Sequence, residues 1–363
     1  MRFAALASYF LWPYATGGER AVLDILSALV RSGHDGMMRY AIPPGLPDHA
    51  FHAFLHVITR FGLPVTRCAR RRVDYVAAGV PVETVGVVSP PPAWVGSWLD
   101  ELAPDVVIAQ AKDVMLLPPL AALWRGTGFI LVQETEALRT LTSVMTADAI
   151  ARLRASSLKM VAPSCFIRER AASHDFETSL LYPALSPPPS GPASRGDDPV
   201  TAFAASYEKG LQTVLDLAAR LPDRRFRIVQ GWHHADPETT SPNVEWVPFL
   251  LDPGRYYREA GVVLVPSRCE EGFGRVVHEA MAVGRVPLVS RLGALPEVAG
   301  EAGIILPPVE GKVGLEEWVS ALAGRGPGSN MASRAAACRI RAQELTGHSR
   351  DQFEHVFGVA FTP

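Results

Sequence analysis

The stretch from Val262 to Gly293 constrains the chain more than any other: V-V-L-V-P-S-R-C-E-E-G-F-G-R-V-V-H-E-A-M-A-V-G-R-V-P-L-V-S-R-L-G. An apolar run, Gly261 to Val265, stops at Pro266 and has the length and composition of a buried strand. A loop follows with Glu270, Glu271, Gly272 and Gly274. Then Val276, Val277, Ala280 and Met281 fall on one helical stripe that ends near Gly284. A second apolar run, Val286 to Ser290, reads as the next strand. A strand–loop–helix–strand order is the repeating unit of a parallel sheet, so the fold class is α/β.

In open α/β sheets, ligands bind at the carboxyl ends of the strands. Gly272 and Gly274 lie where the helix begins and allow the backbone to approach a ligand. A helix start presents N–H groups without intrahelical partners, together with partial positive charge, and so suits a phosphate. Glu271 stands just before that turn. Glu279 lies eight positions later. At 100° per residue it falls roughly 120° from the centre of the apolar stripe, at the margin of the buried face. Two carboxylates beside an anion site repel the anion unless they bind something else. Sugar hydroxyls fit, because a carboxylate accepts two hydrogen bonds from a vicinal diol.

Pro266-Ser267, Glu271-Gly272-Phe273-Gly274, Glu279-Ala280 and Gly284 resemble the nucleotide-sugar signature of the family-4 retaining glycosyltransferases, which have the GT-B fold. That family also has seven residues between its two glutamates, as here. The resemblance implies that Glu271 faces the donor sugar hydroxyls and Glu279 the ribose hydroxyls. It implies that the amides of Gly272, Phe273 and Gly274 contact sugar and diphosphate. The string from Gly17 to Asp35 also resembles the opening of the family, where the Gly17-Gly18 turn faces the interdomain cleft. The same pair also serves as a plain strand-to-helix turn. It is not a dinucleotide fingerprint, because the G-x-G-x-x-G spacing is absent.

Departures from the family pattern matter as much. Family members place an Arg and a Lys on the diphosphate in the loop after the first strand of the second lobe. Lys209-Gly210 matches the Lys, but the Arg position holds Ala204, Ala205 or Ser206. A lost charge-assisted contact to a diphosphate costs a few kcal/mol. Arg268 and Arg275 flank the glutamate loop and are candidates to replace it. Relatives often carry a histidine near the donor sugar where this chain has Gln133 or Glu134. Glu134 is a candidate to orient an acceptor hydroxyl.

At 363 residues the chain exceeds one ordinary core, and two domains are expected. A net charge of −2 gives no general attraction to nucleic acid or anionic lipid. Cys68, Cys165, Cys269 and Cys338 are scattered, which suits a reducing cytoplasm and no structural zinc. Phe3 to Trp12 is read as a first buried strand in preference to a signal peptide, since Ser8 interrupts it and no small-residue cleavage site follows. No apolar run approaches the ~20 residues that span a bilayer. His49, His52 and His56 share a helical face without a carboxylate or cysteine to complete a metal site. Arg67, Arg70, Arg71 and Arg72 form a local basic cluster, either a solvated face or a patch for an acidic acceptor or membrane surface.

The remaining pattern gives strands at Pro104–Gln110, Gly128–Gln133, Lys159–Pro163, Val200–Ala205, Phe226–Gln230 and Val244–Phe249, with helices at Glu19–Arg31 and Gly210–Leu221. The prolines from Pro187 to Pro199 cannot join a helix or central strand and read as a linker. The expected organisation is an acceptor-side Rossmann-like domain (1–183), the proline-rich linker (184–199), a nucleotide-sugar domain (200–345) and a helix returning to the first domain (346–363).

The resemblance implies a GT-B enzyme of two doubly wound lobes facing an interdomain cleft. By resemblance it moves a sugar from a nucleoside-diphosphate donor to a hydroxyl acceptor and retains the anomeric configuration, with Glu271 and Lys209 as the catalytic residues. No cofactor is expected, and no metal on the diphosphate, since Asp-x-Asp occurs nowhere in the chain. A GT-B nucleotide-sugar epimerase, a non-catalytic nucleotide-sugar binder and a two-lobed nicotinamide oxidoreductase stand as alternatives. The last lacks a glycine fingerprint. The others are distinguished by turnover of donor without acceptor, or by donor binding without turnover.

Overall fold

The computed structural model describes residues 1–8, 17–42, 48–69, 72–87, 91–185, 198–203, 206–231, 241–310, 314–324 and 331–362. The readings given for the end of the first strand at 9–12, for Arg70 and Arg71, for the prolines from 187 to 192 and for Ala204 and Ala205 concern residues outside these. The chain divides into two compact units, Met1–Leu185 with Arg350–Pro363, and Ser186–Ser349.

The first unit begins with β1 (Arg2–Ala7), α1 (Gly17–Arg31), β2 (Asp35–Ile42) and α2 (Asp48–Arg60). A meander follows, β3 (Val65–Ala69), β4 (Arg72–Ala77) and β5 (Val80–Gly86). Then come α3 (Pro91–Leu102), β6 (Val106–Gln110), α4 (Leu117–Leu123), β7 (Thr127–Leu131), α5 (Thr135–Val144), α6 (Ala147–Ala155), β8 (Leu158–Ala162), α7 (Cys165–Ala172) and β9 (Thr178–Leu180). They form a nine-stranded sheet in the order β3-β4-β5-β2-β1-β6-β7-β8-β9. All neighbours are parallel except β3 with β4 and β4 with β5. The central strands are buried on both faces, so they read as continuous apolar runs, as parallel strands do. Leu23, Leu26 and Leu29 lie on the buried stripe of α1, which packs against β1, β2 and β5. Trp94 and Trp98 of α3 join Leu120, Leu138 and Ile130 in an apolar cluster over β1, β6 and β7.

In the β3–β4 hairpin Arg67 sits exposed on β3, and Arg72 opens β4, where it pairs with Asp74 at 3.0 Å and Glu83 at 3.5 Å.

The second unit contains β10 (Val200–Ala202), α8 (Leu211–Arg220), β11 (Phe226–Val229), β12 (Val244–Val247), α9 (Gly254–Arg258), β13 (Val262–Val265), α10 (Arg275–Ala282), β14 (Pro287–Ser290), α11 (Leu295–Ala299), β15 (Ile304–Leu306) and α12 (Leu315–Leu322). Its six strands are all parallel, in the order β12-β11-β10-β13-β14-β15. The chain winds outward from β10 to β12, returns beside β10 as β13, and winds outward the other way. The strand order therefore reverses between β10 and β13, and a doubly wound sheet opens a crevice at that point.

The last helix, α13 (Met331–Phe357), is one continuous element, where the sequence reading sets a separate terminal helix at 346–363. Its buried side changes partners along its length. Cys338, Ala342 and Leu345 are buried within the second unit, while Phe353 and Phe357 are buried in the first. Phe357 packs on Phe129 at 4.8 Å and Phe3 at 6.1 Å between ring centroids. Among the described residues no helix is long and apolar enough to cross a membrane.

Candidate functional site

The two loops that leave β10 and β13 meet at the carboxyl edge of the second sheet. The backbone N–H of Arg268 donates to the carbonyl of Glu208 at 2.8 Å. Gly210 has a φ of +84°, and a Cβ there would strike the carbonyl of Pro266, so only glycine lets the loops close. This contact brings Lys209 to Glu271, 62 residues later in the chain: Nζ lies 2.7 Å from Oε1. The hydroxyl of Ser267 donates to the same Oε1 at 2.6 Å. The Glu271 side chain is 16% exposed and Lys209 46%, so the pair lies at a water-facing edge with the carboxylate recessed.

The backbone of Glu271 is fixed as firmly as its side chain. Its carbonyl accepts from Ala294 N at 2.9 Å. Gly293, at φ +58°, passes so close that a Cβ would collide with Glu271 N and O. Phe273, between the two glycines, is buried. Gly274 adopts a left-handed conformation at φ 97° and starts α10 without a side-chain cap. The start of α10 thus follows closely in the chain on the recessed Glu271, and a helix start carries the partial positive charge that favours an anion.

Glu279 lies one turn into α10 with its side chain 21% exposed. Its Oε2 accepts from the Tyr257 hydroxyl at 2.7 Å, and Arg275 approaches Oε1 at 3.4 Å. Burial pushes the Tyr257 phenol well above its ordinary value, with the Glu279 charge adding to the effect, so this hydroxyl remains a donor at any working pH. Arg275 is thus engaged with Glu279. The guanidinium of Arg268 lies over the Tyr207 ring at 4.7 Å and donates to the carbonyl of Val309 at 2.6 Å. Sequence reasoning named neither Tyr257 nor Ser267 as a functional side chain. Ser267 is the one with a signal, four residues before Glu271 at the mouth of a strand.

Also on α10, His278 is 2% exposed. Its Nε2 lies 3.3 Å from the carbonyl of Ala342 and 3.1 Å from Thr346 Oγ1, both on α13. A carbonyl only accepts, so Nε2 carries the proton in the neutral ring. Burial lowers the His278 pKa to about 4.

The first unit has its own strand-order reversal, between β1 and β6. Asp113 there is 3% exposed and accepts from the backbone and hydroxyl of Ser8, and burial raises its pKa. Lys112 pairs with Glu19 in the first turn of α1, a carboxylate with 0% exposure. A Cβ on Gly18 would lie 3.3 Å from Gln133 Cγ and 3.6 Å from Gln110 Oε1. The structure therefore brings Gly17, Gly18 and Gln133 to one edge. Glu134 stands exposed at the start of α5 and makes no side-chain cap there. Glu19, Gln110, Lys112 and Asp113 are additions that the sequence reading did not select.

Among the described residues no cluster of three or more His, Cys, Asp or Glu is placed to hold a metal ion. The two parallel-sheet units, each reversing its strand order beside polar loops, have the GT-B fold. Residues 198–341 match the family model described as Glycosyl transferases group 1. HepE of Anabaena, solved with UDP and glucose, is similar at a TM-score of 0.68 and 14% identity, over 99% of this chain and 100% of that one. Sucrose-phosphate synthase of Thermosynechococcus elongatus gives 0.62 and 16%, over 98% and 100% of the two chains. The catalytic domain of starch synthase IV from Arabidopsis thaliana, bound to ADP and acarbose, gives 0.65 and 10%, over 98% of each. No curated protein matches the chain.

Proposed function

We propose that this protein is a retaining glycosyltransferase of family-4 type, with its nucleoside-diphosphate sugar donor bound at the β10/β13 edge of the second unit. The observation that carries this reading is the convergence of Lys209, Ser267 and Glu271 beside the uncapped start of α10. A cation and helix amides suit a diphosphate, and a recessed carboxylate suits sugar hydroxyls. The matched glycosyltransferase domain covers this site, and HepE is a protein of the same fold solved with UDP and glucose.

Neither glutamate is poised as a free nucleophile. Glu271 is held by Lys209 and Ser267, and Glu279 by Tyr257 and Arg275. Both then serve as hydrogen-bond acceptors, Glu271 toward the sugar and Glu279 toward the ribose. In the reaction, the bond from the anomeric carbon to the diphosphate oxygen breaks. The acceptor oxygen bonds to that carbon from the same face, and its proton passes to the leaving phosphate. When donor binds, Lys209 turns from Glu271 to the diphosphate and offsets the charge that grows there. The acceptor, a hydroxyl compound, belongs to the first unit, at the edge formed by Gly17, Gly18, Gln133 and Glu134. In this reading the diphosphate is held by the protein without a metal.

The test is sugar transfer by the wild type and Glu271→Ala, assayed with a chelator present, using the donor selected from UDP-, GDP-, ADP- and TDP-sugars by thermal shift. The expected result is undiminished wild-type transfer with the chelator, product of retained configuration, and loss of transfer by at least about 100-fold in the folded variant. Near-wild-type transfer by Glu271→Ala overturns the site. Turnover of donor without any acceptor makes the protein an epimerase or hydrolase instead.

A further inference from the structure

We infer that Tyr257 is a positioning residue that makes the donor site selective for ribose over sugars lacking the vicinal diol. The inference rests on the proposed nucleotide-sugar site and specifies how Glu279 would act within it.

Glu279 projects from α10 on about three rotatable side-chain bonds, as any Glu does. A carboxylate that must meet two adjacent hydroxyls needs a fixed plane. Tyr257 supplies the constraint from a different element. Its hydroxyl donates to Oε2 at 2.7 Å. The ring is itself immobile: it is 1% exposed and stacks on Phe203 at 4.5 Å with planes 24° apart. Phe203 follows β10, so the phenol is braced by the strand end whose loop carries Lys209.

The backbone under Tyr257 is clamped too. Arg285, 1% exposed, donates from Nε to the carbonyl of Tyr257 at 3.1 Å and from Nη2 to the carbonyl of Arg258. Those carbonyls end a helix of only five residues, α9, which has too few internal hydrogen bonds to hold its own geometry. A buried guanidinium thus fixes the short helix, the helix fixes the phenol, and the phenol fixes Oε2.

One hydrogen bond to Oε2 leaves lone pairs on both carboxylate oxygens, as a bidentate acceptor requires. Removing the phenol oxygen leaves the carboxylate with the longer contact from Arg275, at 3.4 Å on Oε1, and so loosens its plane while keeping its charge and the neighbouring apolar packing in place. The consequence is specific: affinity for a ribose falls, and affinity for a sugar that offers no diol does not.

The experiment is calorimetric titration of the wild type, Tyr257→Phe and Glu279→Gln with two ligands. One is whichever of UDP, GDP, ADP and CDP binds the wild type most tightly, and the other is its 2′,3′-dideoxy analogue. The wild type is expected to favour the ribonucleotide by about 10- to 100-fold. Tyr257→Phe is expected to reduce that ratio by roughly 3- to 10-fold, with dideoxy affinity unchanged, which also shows that the variant is folded. Glu279→Gln is expected to reduce it further. A Tyr257→Phe ratio equal to wild type beside a collapsed Glu279→Gln ratio overturns the role of Tyr257 and leaves the donor site standing. A ratio unchanged in both variants overturns the assignment of Glu279 to the ribose as well. Equal loss of affinity for both ligands in Tyr257→Phe assigns the residue to packing and overturns the inference.

Discussion

Lys209 and Glu271 form an ion pair of 2.7 Å between two loops that meet where the strand order of the second sheet reverses. The pair keeps a recessed carboxylate and its nearest cation in register at the place where both would serve a diphosphate sugar. Lys209 reaches toward water while Glu271 is recessed. In the proposed function an incoming diphosphate would compete with Glu271 for the ammonium, and the sugar hydroxyls would take up the carboxylate in exchange.

Gly293 is expected to be intolerant of any side chain. Its φ of +58° and its closeness to the Glu271 backbone mean that Gly293→Ala must displace the loop that holds the carboxylate. Left-handed strain and the collision together cost about 2 kcal/mol of stability. Chemical denaturation should show that loss, and donor affinity should fall by more than tenfold. Wild-type values in both measurements would mean that the loop moves at no cost.

His278 should make the protein acid-sensitive. Its pKa falls from an ordinary 6.5 to about 4 through burial, so the unfolded chain binds this proton more readily than the folded one. Its contribution to stability is complete above about pH 6.5 and is lost as the pH falls toward 4, by up to about 3 kcal/mol. Denaturation between pH 7 and 4 should reveal the slope, and His278→Gln should flatten it. An equally steep dependence in His278→Gln would assign the acid sensitivity to other groups.

Lys112→Met tests the edge of the first unit. It removes the Lys112 cation beside Glu19, a carboxylate with no exposed surface. Loss of about 2 kcal/mol is expected by urea denaturation, and adding Glu19→Gln should recover part of it, because the buried charge that lost its cation is then gone. A double variant no more stable than Lys112→Met would show that the charge is not what destabilises it.

The strand–glycine–helix unit around Glu271 was legible in the sequence because each part has a local cause. A parallel strand buried on both faces must be apolar, and a left-handed helix start such as Gly274 favours glycine. The β3–β4 hairpin was not legible. All five residues of β3 are exposed, so it lacks the alternation that marks a half-buried strand, and its arginines read as surface charge. The unbroken α13 was hidden for a related reason. Its apolar positions serve one unit up to Leu345 and the other from Phe353, so no single stripe runs its length. Tyr257, His278 and Glu19 acquire their roles from partners 22, 68 and 93 residues away, and no local pattern encodes such distances.

The most direct test is equilibrium binding of nucleoside diphosphates to the wild type and to Lys209→Ala. One of UDP, GDP, ADP or TDP should bind the wild type at a single site, and Lys209→Ala should weaken it by about 10- to 100-fold, the loss of one charge-assisted contact to a phosphate. Binding of none of the four, or equal affinity in the folded Lys209→Ala protein, would contradict the placement of the diphosphate beside this lysine.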